Sequence, residues 1–300
     1  MNRCRRAMAC WPADAPPVSS AARANRVASR AVNSSSLVVY RGRAGDRNPR
    51  GMAGAQLLGS AIARRFGFAT TFVSSARPIL PSMRWDEQLA AARADLQAFA
   101  HTHAGLLGNG GRVIATMGRC AAGLATVPEV VRRHPQACVV WFDAHGDSNL
   151  PTSNAVPYLG GMVLTGAAGH WDSGLGAGLD MANVVLVGAR DLDPHEKSLI
   201  ADGHLKLVDV GPRLVERLAA AVGDRAVYVH LDCDVLEPGI VPIEYEVAGG
   251  LTLADLHACA TELATRTVIG VEIAEFECAW LDGRPAATDK LVDAIAPLLC

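Results

Sequence analysis

Lysine is scarce in this sequence: only Lys197, Lys206 and Lys290 occur, so almost all of the cationic charge is arginine. The 28 basic residues do not exceed the 30 acidic ones, and the formal net charge is −2. Without a basic excess, we expect no nucleic-acid partner and no binding to an anionic membrane surface. The chain also lacks an apolar run of 18 residues and a secretory signal, which predicts a cytoplasmic protein without a membrane span.

The cysteines show no disulfide pattern. There are eight, at positions 4, 10, 120, 138, 233, 259, 278 and 300, and no two form a C-x-x-C pair. This spacing favours a reduced compartment. We expect Cys138, Cys233 and Cys259 to be core residues.

The composition separates a short N-terminal segment from the rest of the chain. Residues 1–36 carry six arginines but one acidic residue, together with much Ala, Ser and Pro. Such a segment cannot bury a core, which predicts a disordered extension; its composition is also typical of an organellar transit peptide. Residues 37–300 are rich in hydrophobic side chains and contain no linker, which predicts one domain.

Short apolar runs alternate with helical periodicity from Leu37 onward. This alternation predicts an α/β fold: a single-domain, three-layer α/β/α arrangement around a mostly parallel, eight-stranded sheet. The predicted strands are 37–40, 69–73, 112–116, 137–142, 183–187, 206–208, 226–231 and 267–273. Helices are predicted at 83–103, 128–134, 193–202, 214–222, 253–266 and 287–299.

Two acidic clusters follow two of the predicted strands. Asp143, His145 and Asp147 form a D-x-H-x-D triplet, and Asp232 and Asp234 follow the strand 226–231. In extended backbone, residues at two-residue spacing share one face, and ligands of parallel sheets bind at the carboxyl ends of the strands. Four carboxylates around one imidazole would repel one another without cations, which predicts two divalent metal ions, most naturally Mn²⁺.

These two segments resemble the metal motifs of the ureohydrolases, the family of arginase and agmatinase. The resemblance covers roughly residues 37–300 and implies an arginase-like fold and a hydrolase that acts on the C–N bonds of linear amidines. It implies that Asp143 and Asp232 bridge two ions, with Asp147 helping to hold the first and His145 and Asp234 the second.

Further matches favour the arginase branch over the agmatinase branch. Asn149 follows the triplet, and the segment 188–196 is similar to G-x-R-D-x-D-x-x-E. The resemblance implies that Asn149, Asp193 and Glu196 bind the amino-acid end of a substrate and that Glu275 binds its guanidino group. Catalytic roles are implied for Asp147 and Glu275.

Cys120 stands where the family supplies a histidine ligand to the first ion. A thiolate can bind a metal, and its softness would tilt the site toward Zn²⁺ or Fe²⁺ without forbidding Mn²⁺. The alternative is that Cys120 is a small buried residue and that the first ion is held weakly.

Gly160 stands where the family has its proton-shuttling histidine. A general acid or base typically contributes about 10²–10⁴-fold to a rate, so its loss should cripple arginine hydrolysis. We interpret Gly160 as leaving room for a substrate hydroxyl, and His170 as a loop residue that could substitute for the shuttle. His230 is interpreted as a residue of the core or behind the metal site.

With these two departures, Cys120 and Gly160, the sequence resembles the branch of the family that hydrolyses Nω-hydroxy-L-arginine to hydroxyurea and L-ornithine in D-cycloserine biosynthesis. The small-molecule partner expected is therefore a guanidino amino acid. Three alternatives remain: a hydrolase of arginine or another guanidino compound, a degenerate ureohydrolase that only binds a ligand, and a zinc deacetylase. The sequence does not fix the oligomeric state.

Overall fold

Eight parallel strands form one sheet in the order β2-β1-β3-β8-β7-β4-β5-β6. The computed structural model describes residues 35–79, 84–153 and 157–300; most of the predicted extension 1–36 lies outside these ranges. The strands are β1 Ser36–Tyr40, β2 Ala69–Val73, β3 Val113–Thr116, β4 Cys138–Phe142, β5 Val184–Val187, β6 Lys206–Val208, β7 Val227–Asp232 and β8 Val268–Ala274. The predicted fold class is confirmed.

The α-helices lie between these strands and after β8. They are α1 Arg50–Phe66, α2 Trp85–Gly108, α3 Gly123–Arg133, α4 Val163–Ala168, α5 Pro194–Ala201, α6 Leu214–Val222, α7 Leu253–Leu263 and α8 Asp289–Leu299. Neither α1 nor α4 was predicted from the sequence, and α3 was predicted to begin at Pro128. That helix starts five residues earlier because Leu124 and Val127 are fully buried, and this packing outweighs the hydrogen bond that Pro128 cannot donate. Within the described ranges, no helix is long and apolar enough to cross a membrane.

The sheet separates two hydrophobic cores. On β1, Leu37 and Val39 belong to one core, and Val38 and Tyr40 belong to the other. Helices α1, α6, α7 and α8 cover the first face, and α2, α3 and α4 cover the second. Because both faces are buried, the central strands are continuously apolar rather than alternating, which is why they could be recognised in the sequence.

The four central strands, β3, β8, β7 and β4, end side by side. β3 and β4 are consecutive in the chain, but β8 and β7 lie between them in the sheet. The direction in which successive strands are added to the sheet therefore changes here. In open α/β sheets a crevice forms at such a switch point, beyond the carboxyl ends of the strands. Each predicted acidic cluster follows one of these four strands.

His103 on α2 is a buried histidine away from that crevice. Its Nε2 lies 3.4 Å from the hydroxyl of Tyr228, its ring packs edge-on against Phe99, and it is 0% exposed. Burial lowers the pKa of His103 from 6.5 to about 4. The unfolded chain therefore binds a proton below pH 6.5 that the folded chain does not accept until about pH 4, so acid destabilises the fold through this group.

We predict that His103→Leu removes part of the acid sensitivity of the fold. Between pH 7 and pH 4 the unchanged protein should lose about 3 kcal/mol more unfolding free energy than this variant, at about 1.4 kcal/mol for each pKa unit. Urea unfolding across this pH range measures the difference. His101→Leu, an exposed position on the same helix, is the control. Parallel pH profiles for the unchanged protein and His103→Leu would contradict the prediction.

Candidate metal centre

A cavity of about 240 Å³ opens at the ends of the four central strands. It brings together nine of the ten residues that the sequence analysis placed in the site; the tenth, Asp143, lies beneath them and is 1% exposed. The predicted residues in the lining are Cys120, His145, Asp147, Asn149, Asp193, Glu196, Asp232, Asp234 and Glu275. Arg47, Tyr158, Gly160, Gly161, Asp191 and Tyr245 complete it.

The triplet after β4 folds as a turn, not as the predicted extended segment. β4 ends at Phe142, and Asp147 has a left-handed backbone with φ 46°. Asp143 holds the turn, because its Oδ1 accepts a hydrogen bond from the backbone N–H of His145 at 2.7 Å, while its Oδ2 accepts one from Trp141 Nε1 at 3.0 Å. The side chains therefore converge through this turn rather than through strand geometry.

The acidic pair after β7 is fixed in the same manner. Asp232 is the last residue of β7, and its Oδ1 accepts the backbone N–H of Asp234 at 2.7 Å, which starts a short 3₁₀ turn. Asp234 Oδ1 in turn accepts the backbone N–H of Ala144 at 2.9 Å. This last bond ties the β7 turn to the β4 turn, so the two clusters form one unit.

Two sets of ligand atoms result. Cys120, Asp143 and Asp232 form one set and Asp143, His145 and Asp234 the other, with the atoms of each set within 4.8 Å of one another. Asp143 belongs to both sets, as a carboxylate between two ions would. Asp232 belongs to the first set only, and Asp147 lies in the cavity wall outside both.

The electrostatics of these groups fit divalent cations. Burial raises the pKa of Asp147 and of Asp232 well above the usual range, and neighbouring aspartates add to the effect. Asp147 Oδ2 is buried and has no hydrogen-bond partner in the part of the chain that the structure describes. Burial, followed by the charge of Asp232, also raises the pKa of the Cys120 thiol. Buried carboxylates and a thiol this close together can all be ionised only if cations balance their negative charge. The donor set therefore fits a pair of metal ions.

Behind Cys120 lies a buried hydrogen-bonded network. Cys120 Sγ is 2.9 Å from Asp232 Oδ2 and 3.1 Å from His230 Nε2. On its other side, His230 Nδ1 is 2.6 Å from the carboxylate of Glu272, and its ring stacks on Trp141 at 3.5 Å. His230 thus lies directly behind the candidate ligand Cys120. Contacts on both edges and one face fix the ring, and the ring in turn fixes the thiol.

Glu275 meets an arginine of the protein itself. Arg119 is fully buried, and its Nη1 lies 2.5 Å from Glu275 Oε2, while the backbone N–H of Cys120 donates to Oε1 at 3.0 Å. Glu275 also has a left-handed backbone, with φ 62°. The same guanidinium reaches Glu244 at 2.5 Å and Glu277 at 3.3 Å. Arg119 was not predicted from the sequence, because a single arginine beside a cysteine gives no motif.

The predicted amino-acid end of the site is held by α5. Asp193 caps this helix, and the carboxylate of Glu196 accepts backbone N–H groups from Ser148 and Asp193, both at 3.0 Å. Asn149 Nδ2 donates to Asp193 Oδ2 at 2.8 Å. Burial raises the pKa of Glu196 to about 7, with these backbone donors opposing the shift. Asn149, Asp193 and Glu196 therefore form one wall of the cavity.

Gly160 lines the cavity, but a side chain at this position would not point into open space, and its role in making room for a substrate hydroxyl stays a prediction. A Cβ at this position would lie 2.6 Å from Cε1 of Tyr158, so the tyrosine ring fills the region beside Gly160. His170 is exposed and lines a separate depression, so it does not replace the shuttle. Tyr158 was not predicted from the sequence, because the turn between Tyr158 and Gly160 decides where the tyrosine ring lies.

Comparisons with known proteins agree with this architecture. Residues 75–295 match the arginase family. The chain is 36% identical over 263 residues to an N(omega)-hydroxy-L-arginine amidinohydrolase of Streptomyces lavendulae, which covers 88% of this chain and 94% of that protein.

Solved structures share the fold at lower identity. The arginase of Bacillus cereus superposes with a TM-score of 0.75 at 21% identity, covering 89% of this chain and 98% of that one. A proclavaminate amidino hydrolase of Streptomyces clavuligerus gives 0.66 at 17% identity, covering 88% and 90%.

The fold and the paired ligand sets define a metal-dependent hydrolase with an α/β/α architecture. The chain belongs to the arginase family, whose members hydrolyse C–N bonds of guanidino compounds. The predicted family and class of enzyme are confirmed.

We predict that Arg119→Met strongly destabilises the fold. The change leaves Glu275 and its acidic neighbours without their buried cation, and breaking a buried ion pair typically costs about 3–5 kcal/mol. Arg119→Lys should recover part of this loss because it restores the charge. Arg284→Met is the control, since its guanidinium makes only exposed contacts, an ion pair with Asp282 and a stack on Trp280, and such surface pairs contribute little to stability. Chemical unfolding measures all three; an Arg119→Met protein as stable as the control would refute the prediction.

Proposed function

We propose that this protein hydrolyses Nω-hydroxy-L-arginine to hydroxyurea and L-ornithine with two divalent metal ions, most naturally Mn²⁺. Supply of hydroxyurea to D-cycloserine assembly belongs to the same proposal. The observation that carries it is the shared carboxylate of Asp143, which places two ligand sets side by side beneath a cavity with a polar wall. The relative from Streptomyces lavendulae, with its printed activity, supports the choice of substrate.

Cys120, Asp143, Asp147 and Asp232 would hold the first ion, and Asp143, His145, Asp232 and Asp234 the second. Divalent ions in such a pair lower the pKa of water and so supply a nucleophile at neutral pH. Buried aspartates suit this task, because their positions are fixed by backbone donors before any ligand arrives.

Glu275 would orient the guanidino group by charge-assisted hydrogen bonds. Both of its oxygens already accept a hydrogen bond from the protein, and each retains a second lone pair. The Arg119 guanidinium partly neutralises Glu275, so a strongly cationic guanidinium gains less here than it would from a lone carboxylate. The oxygen of an N-hydroxyguanidine withdraws electrons and lowers the basicity of the group. Partial neutralisation of Glu275 therefore weakens the binding of an N-hydroxyguanidine less than it weakens the binding of a guanidinium.

The cavity lining also suits an α-amino acid. Asp193, Glu196 and Asn149 offer acceptors to an ammonium group. Arg47 is the one arginine in the lining that the structure describes; its guanidinium lies 4.9 Å from the centre of the Tyr158 ring. Among the described residues no carboxylate lies within ion-pair distance of Arg47, so this group would take the substrate carboxylate.

Replacement of the thiol ligand should affect one ion selectively. We expect Cys120→Ala to lower the occupancy of one of two ions, and Cys120→His to preserve or raise it, because imidazole replaces the lost donor. Metal analysis after dialysis at graded metal concentrations measures both affinities. Cys233→Ala, a buried cysteine in neither ligand set, is the matched control.

Two ions per chain at unchanged affinity in Cys120→Ala would show that the thiol is not a ligand. In the unchanged protein, a single zinc would favour a deacetylase-like reaction, and no bound metal would favour a protein that binds a ligand without turnover.

The substrate is tested by comparing Nω-hydroxy-L-arginine with L-arginine. Without a histidine at position 160, arginine should be the poorer substrate, with kcat/KM lower by about 10²–10⁴-fold, the usual contribution of a general acid. Agmatine, which lacks the carboxylate, should not be hydrolysed. Quantifying ornithine by chromatography follows both amino-acid substrates in one assay. Comparable kcat/KM for the two would instead identify a plain arginase.

A further inference from the structure

Tyr158 occupies the space beside Gly160 and is held there from several sides. A Cβ on Gly160 would approach Cε1 of Tyr158 to 2.6 Å and Cζ to 3.2 Å, so the ring lies directly against the glycine. Arg47 lies over the ring, and Tyr245 packs against it at a centroid distance of 5.9 Å. These contacts fix the ring in the cavity lining.

The hydroxyl group of Tyr158 is buried and has no hydrogen-bond partner among the residues that the structure describes. Burial raises the pKa of Tyr158 well above its usual range, and the charge of Glu275 adds to this. The group is therefore an O–H donor that lacks an acceptor. A buried donor without a partner typically costs about 1–3 kcal/mol, so a ligand that brings an acceptor gains affinity.

We propose that Tyr158 is a specificity-determining residue: its buried hydroxyl, placed beside Gly160, donates a hydrogen bond to the hydroxyl oxygen of an N-hydroxyguanidino substrate. This inference rests on the proposed function and explains its selectivity. A plain guanidinium carries only N–H donors and cannot accept the Tyr158 proton. Sites that are built to pair with a substrate hydroxyl discriminate strongly against analogues that lack it, because the buried polar group stays unpaired.

Tyr158→Phe tests this directly, because the variant removes one oxygen atom and keeps the ring. We expect kcat/KM for Nω-hydroxy-L-arginine to fall about 5- to 150-fold, the equivalent of one lost hydrogen bond of 1–3 kcal/mol, while the value for arginine stays the same or rises. Tyr245→Phe, the other tyrosine of the lining, should leave the ratio between the substrates unchanged. Thermal unfolding checks that each variant remains folded.

Inhibition provides a measurement that does not depend on the chemical step. Hydroxyurea and urea differ by the same hydroxyl group, so Tyr158→Phe should weaken inhibition by hydroxyurea more than inhibition by urea. Gly160→Ala should have the same effect, since its Cβ would displace the ring.

The outcomes separate this proposal from the proposed function. If the unchanged protein prefers Nω-hydroxy-L-arginine and Tyr158→Phe keeps the full preference, Tyr158 does not read the hydroxyl. An equal fall for both substrates would show a structural role and would also overturn the proposal. If the unchanged protein has no preference, the proposed function and this inference both fail.

Discussion

Mutual repulsion among buried carboxylates is the constraint on which the centre of this molecule depends. Asp143, Asp147, Asp232 and Asp234 lie together where the four central strands end, and each is at most 5% exposed. The energy of such a cluster is high unless cations, protons or hydrogen-bond donors offset its charge. The parallel sheet makes the cluster possible, because it delivers several strand ends to one place and leaves backbone N–H groups there to hold the side chains.

The protein offsets this charge differently on the two sides of the cavity. Beneath the aspartates, Trp141 and His230 supply donors and an aromatic stack, and Glu272 anchors the imidazole from below. Beside them, Arg119 joins several carboxylates through one rigid guanidinium, including the Glu275 that faces the cavity. The first arrangement fixes a thiol in position. The second sets the charge at the place where a guanidino group would bind.

The sequence predicts the sheet and most of the site, because these depend on local patterns. Apolar runs such as 138–142 show a strand buried on both faces, and the acids that follow it show a site at its end. The turn at Asp147 could not be predicted from two-residue spacing, since the backbone around its left-handed residue bonds to distant segments: the Asp147 carbonyl accepts the N–H of Leu164, and the N–H of Ser148 donates to Glu196. Arg119 and Tyr158 were missed because the residues they contact in the fold are distant in sequence or lie across a turn. No short motif encodes such contacts.

The left-handed backbones of Asp147 and Glu275 have a consequence for how the sequence can vary. Both residues lie in a region of conformational space that favours glycine, and both side chains face the cavity. Holding a non-glycine residue there costs about 1–3 kcal/mol, which the surrounding contacts must supply. At Asp147, whose Oδ2 has no hydrogen-bond partner among the described residues, selection for stability alone would therefore favour glycine. Glu275 differs, because its carboxylate also pairs with the buried Arg119. The persistence of an acid at position 147 in a lineage would record selection for the chemistry of the site, so an engineered version optimised by unfolding temperature should keep this codon fixed.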